Sequence, residues 1–340
     1  MTFDDGLLDD ETALSRADVR LRYLAESGSR VRREAVASEE AVVEAVQRLS
    51  DAQPRAVVAA GPDSRLLRAV LEPVCPVPFV AWPGPGLPGW AGSLDLVVVL
   101  APDGVGAGVA SAVAEAVRRG CQVVVACPPN SQVAEHAPGR YSTILPTNSR
   151  DQLAAAVVML EYLDRVSLGP STDAGGVADA LDDVARSCSP RRDLAVNPAK
   201  MLAIALADTN PIVWGGSVLA ARAARRIAES IRRASGRTAL AGDAEHLLPV
   251  LEATRQRDVF DDPFSDGGGE LRPMLLVLDD GAEEAVVREE RGVLQAAARA
   301  RGVRVETLTT DAPTEVARYA SLFLSGSYAA EYLRLALVEE

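Results

Sequence analysis

Three short loops carry the residue types that can hold an anion. Gly61-Pro62-Asp63-Ser64, Asp103-Gly104-Val105-Gly106 and Gly215-Gly216-Ser217 each follow a short apolar run and precede a helical pattern. A helix N-terminus presents free N–H groups and the positive end of its dipole, and both favour phosphate. Glycine lets the backbone approach a ligand closely, and Ser64 and Ser217 can each donate a hydroxyl. The same composition serves a tight strand-to-helix turn with nothing bound, because glycine is the default residue there. Both readings stay open on the local sequence. Asp63 and Asp103 put negative charge into the first two loops, and their alternative use is to cap the helices that follow. The more acidic run at 279–284, Asp-Asp-Gly-Ala-Glu-Glu, is expected to hold no anion.

Other residues narrow the chemistry. Lys200 is the only lysine, which restricts lysine chemistry to one position, and a structural role is expected for it. Cys75, Cys121, Cys127 and Cys188 show no C-x-x-C spacing, and the even spacing of Cys121 and Cys127 puts both on one face of a strand. Buried thiols are expected, and with only His136 and His246 beside them no zinc set can be assembled. The chain lacks G-x-x-x-x-G-K-[ST], and its one G-x-G-x-x-G, Gly84 to Gly89, lies in a stretch too rich in Pro and Gly for a regular element, so neither a P-loop nor a standard dinucleotide site is expected, and no cofactor is implied. Arg222, Arg225, Arg226, Arg232 and Arg233 make one helix arginine-rich. Arg222, Arg225/Arg226 and Arg233 are spaced to share a face, either a solvated face or an anion-binding wall. The plain use of Arg150 is a surface ion pair with Asp151 or Glu161.

The elements that must position these residues follow from pattern. With 340 residues, 48% of them hydrophobic, the chain can bury the cores of two domains, and aromatics at 4% leave Ala, Val and Leu to fill them. A net charge of −13 without any basic domain sets nucleic acid aside. No apolar run approaches membrane-spanning length and no secretory signal opens the sequence, so a cytoplasmic protein with reduced thiols is expected. The runs "VVVL", "VVVA", "PIVW" and "LLVL" are continuous rather than alternating, as in strands buried on both faces of a parallel sheet. Strand, glycine turn and helix recur at 55–71 and 211–231. Strand, loop, helix and strand recur at 94–128 and 272–308, with a glycine after arginines at each helix end. Two related α/β domains in tandem are predicted. The divisions are an N-terminal helical segment at 1–50, a first domain at 51–167, a linker at 168–190 and a second domain at 191–340. Loops are expected at 83–92 and 257–273.

Residues 197–231, "NPAKMLAIALADTNPIVWGGSVLAARAARRIAESI", resemble the bifunctional phosphoglucose/phosphomannose isomerases, which consist of two sugar isomerase (SIS) domains. An Asn-Pro-Ala-Lys helix, an apolar strand, a Gly-Ser loop and a helix with Ala-Arg-Arg come in the same order. Residues 93–127 are similar to the first SIS core. Arg150 falls on the arginine of the family's Pro-Arg pair, and 319–337 resembles the closing helix. The resemblance implies two tandem SIS-type domains, each a mainly parallel sheet flanked by helices, joined as a homodimer. It implies aldose–ketose isomerisation through an enediol, with a carboxylate shuttling a proton between carbons 1 and 2 and a histidine opening the ring. On this reading Gly61, Ser64, Gly104, Gly106, Arg150, Gly215, Gly216 and Ser217 would hold the sugar phosphate.

The sequence departs from that family where the chemistry lies. The family's Ser-Gly-Asn-Thr loop is replaced by Asp103-Gly104-Val105-Gly106, losing its hydroxyls and gaining a charge that repels phosphate unless turned away. Its Gly-Gly-Ser loop becomes Gly61-Pro62-Asp63-Ser64, and proline removes one N–H. Counting along the helix places Arg233 on the catalytic glutamate, and an arginine stays protonated and cannot act as the base. His246 lies near the family's histidine or is a surface residue. The family's late lysine is absent. The expectation is a sugar-phosphate-binding SIS protein with its catalytic positions lost. One alternative is an active isomerase using Glu229, Glu245 or Glu252, and another is an interaction protein without a small ligand.

Overall fold

The computed structural model describes residues 2–48, 53–255 and 271–338. The chain starts with a short strand, Thr2–Phe3 (β1), and two helices, Glu11–Ala25 (α1) and Ser27–Arg48 (α2). There follow Val57–Ala60 (β2), Ser64–Leu71 (α3), Phe79–Trp82 (β3), Leu96–Leu100 (β4), Ala107–Arg118 (α4), Gln122–Cys127 (β5), Gln132–Glu135 (α5), Ser142–Pro146 (β6) and Gln152–Arg165 (α6). The stretch at 168–190 includes a helix, Ala174–Ser187 (α7). Then come Pro198–Leu206 (α8), Thr209–Gly215 (β7), Val218–Ser235 (α9), Leu240–Ala241 (β8), Ala244–Glu252 (α10), Arg272–Asp279 (β9), Ala285–Ala300 (α11), Arg304–Thr309 (β10), Glu315–Ala336 (α12) and Leu337–Val338 (β11). The loop expected at 257–273 lies outside the described residues as far as residue 270.

Two parallel sheets form, in the order β3-β2-β4-β5-β6 and β10-β9-β7-β8. In each, the first strand in chain order lies between the second and the third, and the fourth follows the third. The first sheet adds a fifth strand. Strands β2 and β4 are buried throughout, as their unbroken apolar runs require of a sheet covered on both faces. The chain divides into two compact units, one of residues 27–179 with the first sheet, the other of residues 1–26 and 180–340 with the second.

Within the first unit, one side of the sheet packs on α4 through Val97, Val99, Val109, Ala112, Val113 and Val125. Cys121 and Cys127 lie in the same cluster, and burial pushes both thiols up. They pack as small apolar side chains. Helix α2 shows why a charged helix is retained. Arg30, Glu34 and Ser38, four residues apart, form a buried stripe on the face that meets β6 and α6.

In the second unit, Ile212, Trp214, Leu275 and Val277 pack under α10 and α11 through Leu247, Leu251 and Leu294. The Asn197 side chain caps α8 by accepting from the Ala199 and Lys200 N–H groups, with Pro198 at the first helical position, where its missing N–H costs nothing. Lys200 is fully buried. Its ammonium donates to Asp9 Oδ1 at 2.6 Å and to the carbonyls of Pro190 at 3.0 Å and Arg192 at 2.9 Å, so all three donors are used. It also lies 5.6 Å from the Tyr332 ring, whose hydroxyl donates to the Cys188 carbonyl at 2.6 Å. The ammonium beside Asp9 holds that carboxyl below the usual carboxylate range. Lys200 is structural, as expected. Among the described residues no helix is long and apolar enough to cross a membrane.

Candidate functional site

The three glycine loops stand at the C-terminal ends of β2, β4 and β7, where open parallel sheets gather ligands. In the first unit β2 and β4 are neighbours, so the loops after them adjoin. A Cβ on Gly61 would meet Val109 of α4 at 3.3 Å, and Gly61 has φ +92°. A Cβ on Gly104, which has φ +67°, would lie 2.5 Å from the Cβ of Ser131. The N–H of Gly106 donates to Gln132 Oε1 at 3.4 Å. Gly61 and Gly104 are thus demanded by backbone conformation and close packing, whatever they bind.

A third loop joins them. Gln152 Nε2 donates to Asp63 Oδ1 at 2.7 Å, tying the β2–α3 loop to the start of α6. This bond turns the Asp63 carboxylate toward an amide. Asp63 does not cap α3 as expected, and Asp103 is exposed and outside the first turn of α4, whose N-cap is Gly106. The side-chain cap in this region is Asp151, which accepts from the Leu153 and Ala154 N–H groups of α6. The stripe on α2 fastens this third loop almost residue by residue. Ser38 Oγ donates to the Pro146 carbonyl at 2.8 Å. Glu34, 1% exposed, accepts the Asn148 N–H at 2.8 Å and the Ser149 N–H at 2.5 Å. Arg30 Nε donates to Asp151 Oδ2 at 2.7 Å.

On these loops three hydroxyl oxygens, Ser64 Oγ, Thr147 Oγ1 and Ser149 Oγ, are buried without a hydrogen-bond partner. Ser64 is 1% exposed and is the first residue of α3. A buried hydroxyl without a partner is uncommon and asks for an explanation. Arg150 stands beside them, exposed and without an ion pair among the described residues, because Asp151 is taken by Arg30 and Glu161 accepts the Ala174 N–H at 3.0 Å. Gly61, Ser64, Gly104, Gly106 and Arg150 therefore come together in one unit. Sequence reasoning missed Thr147, Ser149, Gln152 and Glu34. The hydroxyls were visible after the apolar run 142–146, but Glu34 acts across 114 residues and left no local signal.

The second unit uses its cradle differently. A Cβ on Gly215 would overlap the Ala220 carbonyl, and one on Gly216 would overlap the Val287 side chain. Both glycines are explained by close passage of α9 and α11. Ser217 Oγ accepts the Ala220 N–H at 3.0 Å as the cap of α9 and donates to Asp280 Oδ2. Arg233 lies at the other end of α9, about 24 Å from Ser217 at helical rise. It pairs with Glu229 at 2.6 Å, and Glu229 also takes Arg226 at 2.9 Å, with Arg226 stacked 5.4 Å from the Phe323 ring. Arg225 pairs with Asp243 at 3.2 Å, Arg232 donates to the Ala239 carbonyl at 2.7 Å, and Arg222 also has a partner. The arginine-rich face is consumed within the protein. His246, Glu245 and Glu252 are exposed on α10. An open cavity of about 590 Å³ in this unit, lined by Ala25, Asp182, Ala185, Arg186, Ser189 and Arg192, contains none of the candidate residues.

Residues 195–337 match the family described as bacterial phospho-glucose isomerase C-terminal SIS domain. No curated protein sequence matches the chain. Among solved structures, the C-terminal domain of glucosamine-fructose-6-phosphate aminotransferase from Francisella tularensis superposes with a TM-score of 0.63 at 12% identity, over 92% of this chain and 94% of that one. Tagatose-6-phosphate ketose/aldose isomerase from Escherichia coli gives 0.61 at 11% identity, over 92% of each. A glucose-6-phosphate isomerase like protein from Thermus thermophilus gives 0.52 at 16% identity, over 89% and 91%. At these identities the superpositions establish a common fold, in agreement with the two tandem SIS-type sheets. The Asn-Pro-Ala-Lys helix, the Gly-Ser turn and the closing helix all lie inside the matched span, and residues 195–337 are thus similar to the bacterial phospho-glucose isomerase C-terminal SIS domain.

Proposed function

We propose that this protein binds a sugar phosphate at the strand ends of residues 27–179 and has lost the isomerase chemistry of its family. The observation that carries the loss is the ion-pair pattern on α9. Where the resemblance expects the catalytic glutamate stands Arg233, and the nearest carboxylate that would replace it, Glu229, is held between Arg226 and Arg233. Each of its two carboxylate oxygens is engaged by a guanidinium of its own helix.

Ligand binding is supported by the three unpartnered hydroxyls, the helix N-terminus at Ser64 and the unpaired Arg150. Hydroxyls, backbone N–H groups and one guanidinium suit a phosphate. The neighbouring structures carry sugar 6-phosphates in their names, so a hexose or hexosamine 6-phosphate is the ligand class. We assign the domains to 51–167 and 191–340, related by tandem duplication as the shared strand order suggests. The protein acts as a cytoplasmic homodimer, without cofactor or nucleic acid.

Calorimetry and isomerase assays with glucose 6-phosphate, mannose 6-phosphate and fructose 6-phosphate test this reading. Binding without turnover is expected. Turnover abolished by Glu229→Gln, Glu245→Gln or Glu252→Gln would overturn the loss of catalysis. Absence of heat and of a thermal shift at millimolar ligand would leave a protein without a small ligand.

A further inference from the structure

The Ser217 hydroxyl is spoken for by an anion that belongs to the chain. Strand β7 is the first strand of its sheet in chain order and β9 the third, so the gap between their ends is the switch point at which such sheets take ligands. The Ser217–Asp280 bond closes that gap. Asp280 is held there by its surroundings. Its Oδ1 accepts the Ala282 N–H at 3.3 Å, and Arg318 Nη1 donates to its carbonyl at 3.2 Å while Arg318 Nε grips the Ala312 carbonyl at 2.9 Å. The preceding Asp279 is locked to Arg291 by two bonds of 2.7 and 2.9 Å, and also accepts the Gly281 N–H at 3.1 Å. The loop is therefore fixed from both sides, with one carboxylate paired to an arginine and the other set at the start of α9. A helix N-terminus favours an anion, and a carboxylate bonded to the cap hydroxyl supplies one.

We propose that Asp280 determines the specificity of this second cradle: its carboxylate occupies the position of a phosphate and excludes phosphate from the site. The proposal rests on the reading that phosphate recognition belongs to the first unit. It explains why a Gly-Gly-Ser turn with intact geometry is compatible with the acidic run at 279–284. A phosphate dianion entering here meets a fixed negative charge and a hydroxyl whose proton is already donated.

The test is titration of the full chain with inorganic phosphate. Wild type, Asp280→Ala, Asp280→Asn, Ser217→Ala and the double variant Asp280→Ala with Ser217→Ala are compared. Removing the charge is expected to add one phosphate per chain over wild type, with affinity at that site raised roughly tenfold or more. The double variant is expected to lose the added site. Asp280→Asn retains an acceptor for the Ala282 N–H and removes only the charge, so it reports even where the alanine variant does not fold. A folded Asp280→Asn that titrates as wild type does would overturn the proposal, and so would a wild-type phosphate site lost on Ser217→Ala alone. Wild type binding no phosphate at all would count against the first-unit site, while the gain in the variants would still decide the role of Asp280.

Discussion

In the second unit the Ser217 hydroxyl is bonded twice, once to the helix it caps and once to Asp280, whereas in the first unit Ser64, at the corresponding turn, has no partner. The two turns are alike in sequence, each an apolar strand, a glycine and a serine before a helix. What separates them is a residue far along the chain. Asp280 comes 63 residues after Ser217, and no carboxylate bonds the Ser64 hydroxyl. A local motif therefore sets the geometry of an anion cradle, and a distant residue decides whether the cradle is open.

The largest test of that contrast is the glycine of the second turn. Gly215→Ala drives a methyl into the Ala220 carbonyl, and the expected loss is about 3 kcal/mol or more, seen as a fall in melting temperature of roughly 6–12 °C. Ser64→Ala, which removes a hydroxyl bonded to nothing in the protein, should stay within about 0.5 kcal/mol of wild type. Equal losses would erase the distinction between a turn closed by packing and one kept open.

Lys200→Met leaves two partly buried carbonyls without their donor and is expected to cost about 3 kcal/mol in denaturant unfolding. A smaller loss than that of an exposed ion pair would mean the lysine is not needed to hold 189–197.

Ligand affinity sharpens the comparison next. Arg150→Ala should weaken binding of fructose 6-phosphate about tenfold, or ~1.4 kcal/mol by calorimetry, and Ser217→Ala should leave it unchanged. The reverse ranking would move the ligand to the second unit.

The smallest effect is one of pH. Because the Asp9 carboxyl is held below its ordinary value when folded, its contribution to stability is complete above about pH 4 and is lost as the pH falls below that. The loss is modest, since Asp9 is partly exposed, and it should vanish in Lys200→Met when melting temperatures are followed from about pH 6 to about pH 3.

The sheet cores were legible because buried parallel strands leave unbroken apolar runs, as at 96–100 and 275–278, and the glycines after α4 and α11 mark the helix ends. The edge strands β3 and β8 were not, since their residues are half-exposed and carry no such run. Of the candidate site, Ser64 and Arg150 were read from local pattern and resemblance. The residues that decide their state were not. Glu34 meets its loop across 114 residues, and a helix stripe of Arg, Glu and Ser looks like a solvated face until the loop that it binds is in view. Asp63 and Asp103 were expected as caps for the same reason: the sequence shows that an acid is near a helix start, not which donor reaches it first.

The pairing of β1 with β11, and of Asp9 with a lysine 191 residues away, gives synthesis a direction. Residues 2–26 leave the ribosome before residues 27–179, yet the helix, strand and lysine they need belong to residues 180–338. Meanwhile residues 27–179 emerge with every strand of their own sheet, and can close it while the earlier segment still waits. Of the two units, the one with the open cradle is therefore the one that can form earlier, and helix α1 stays without its partner α12 until residues 315–336 have been made.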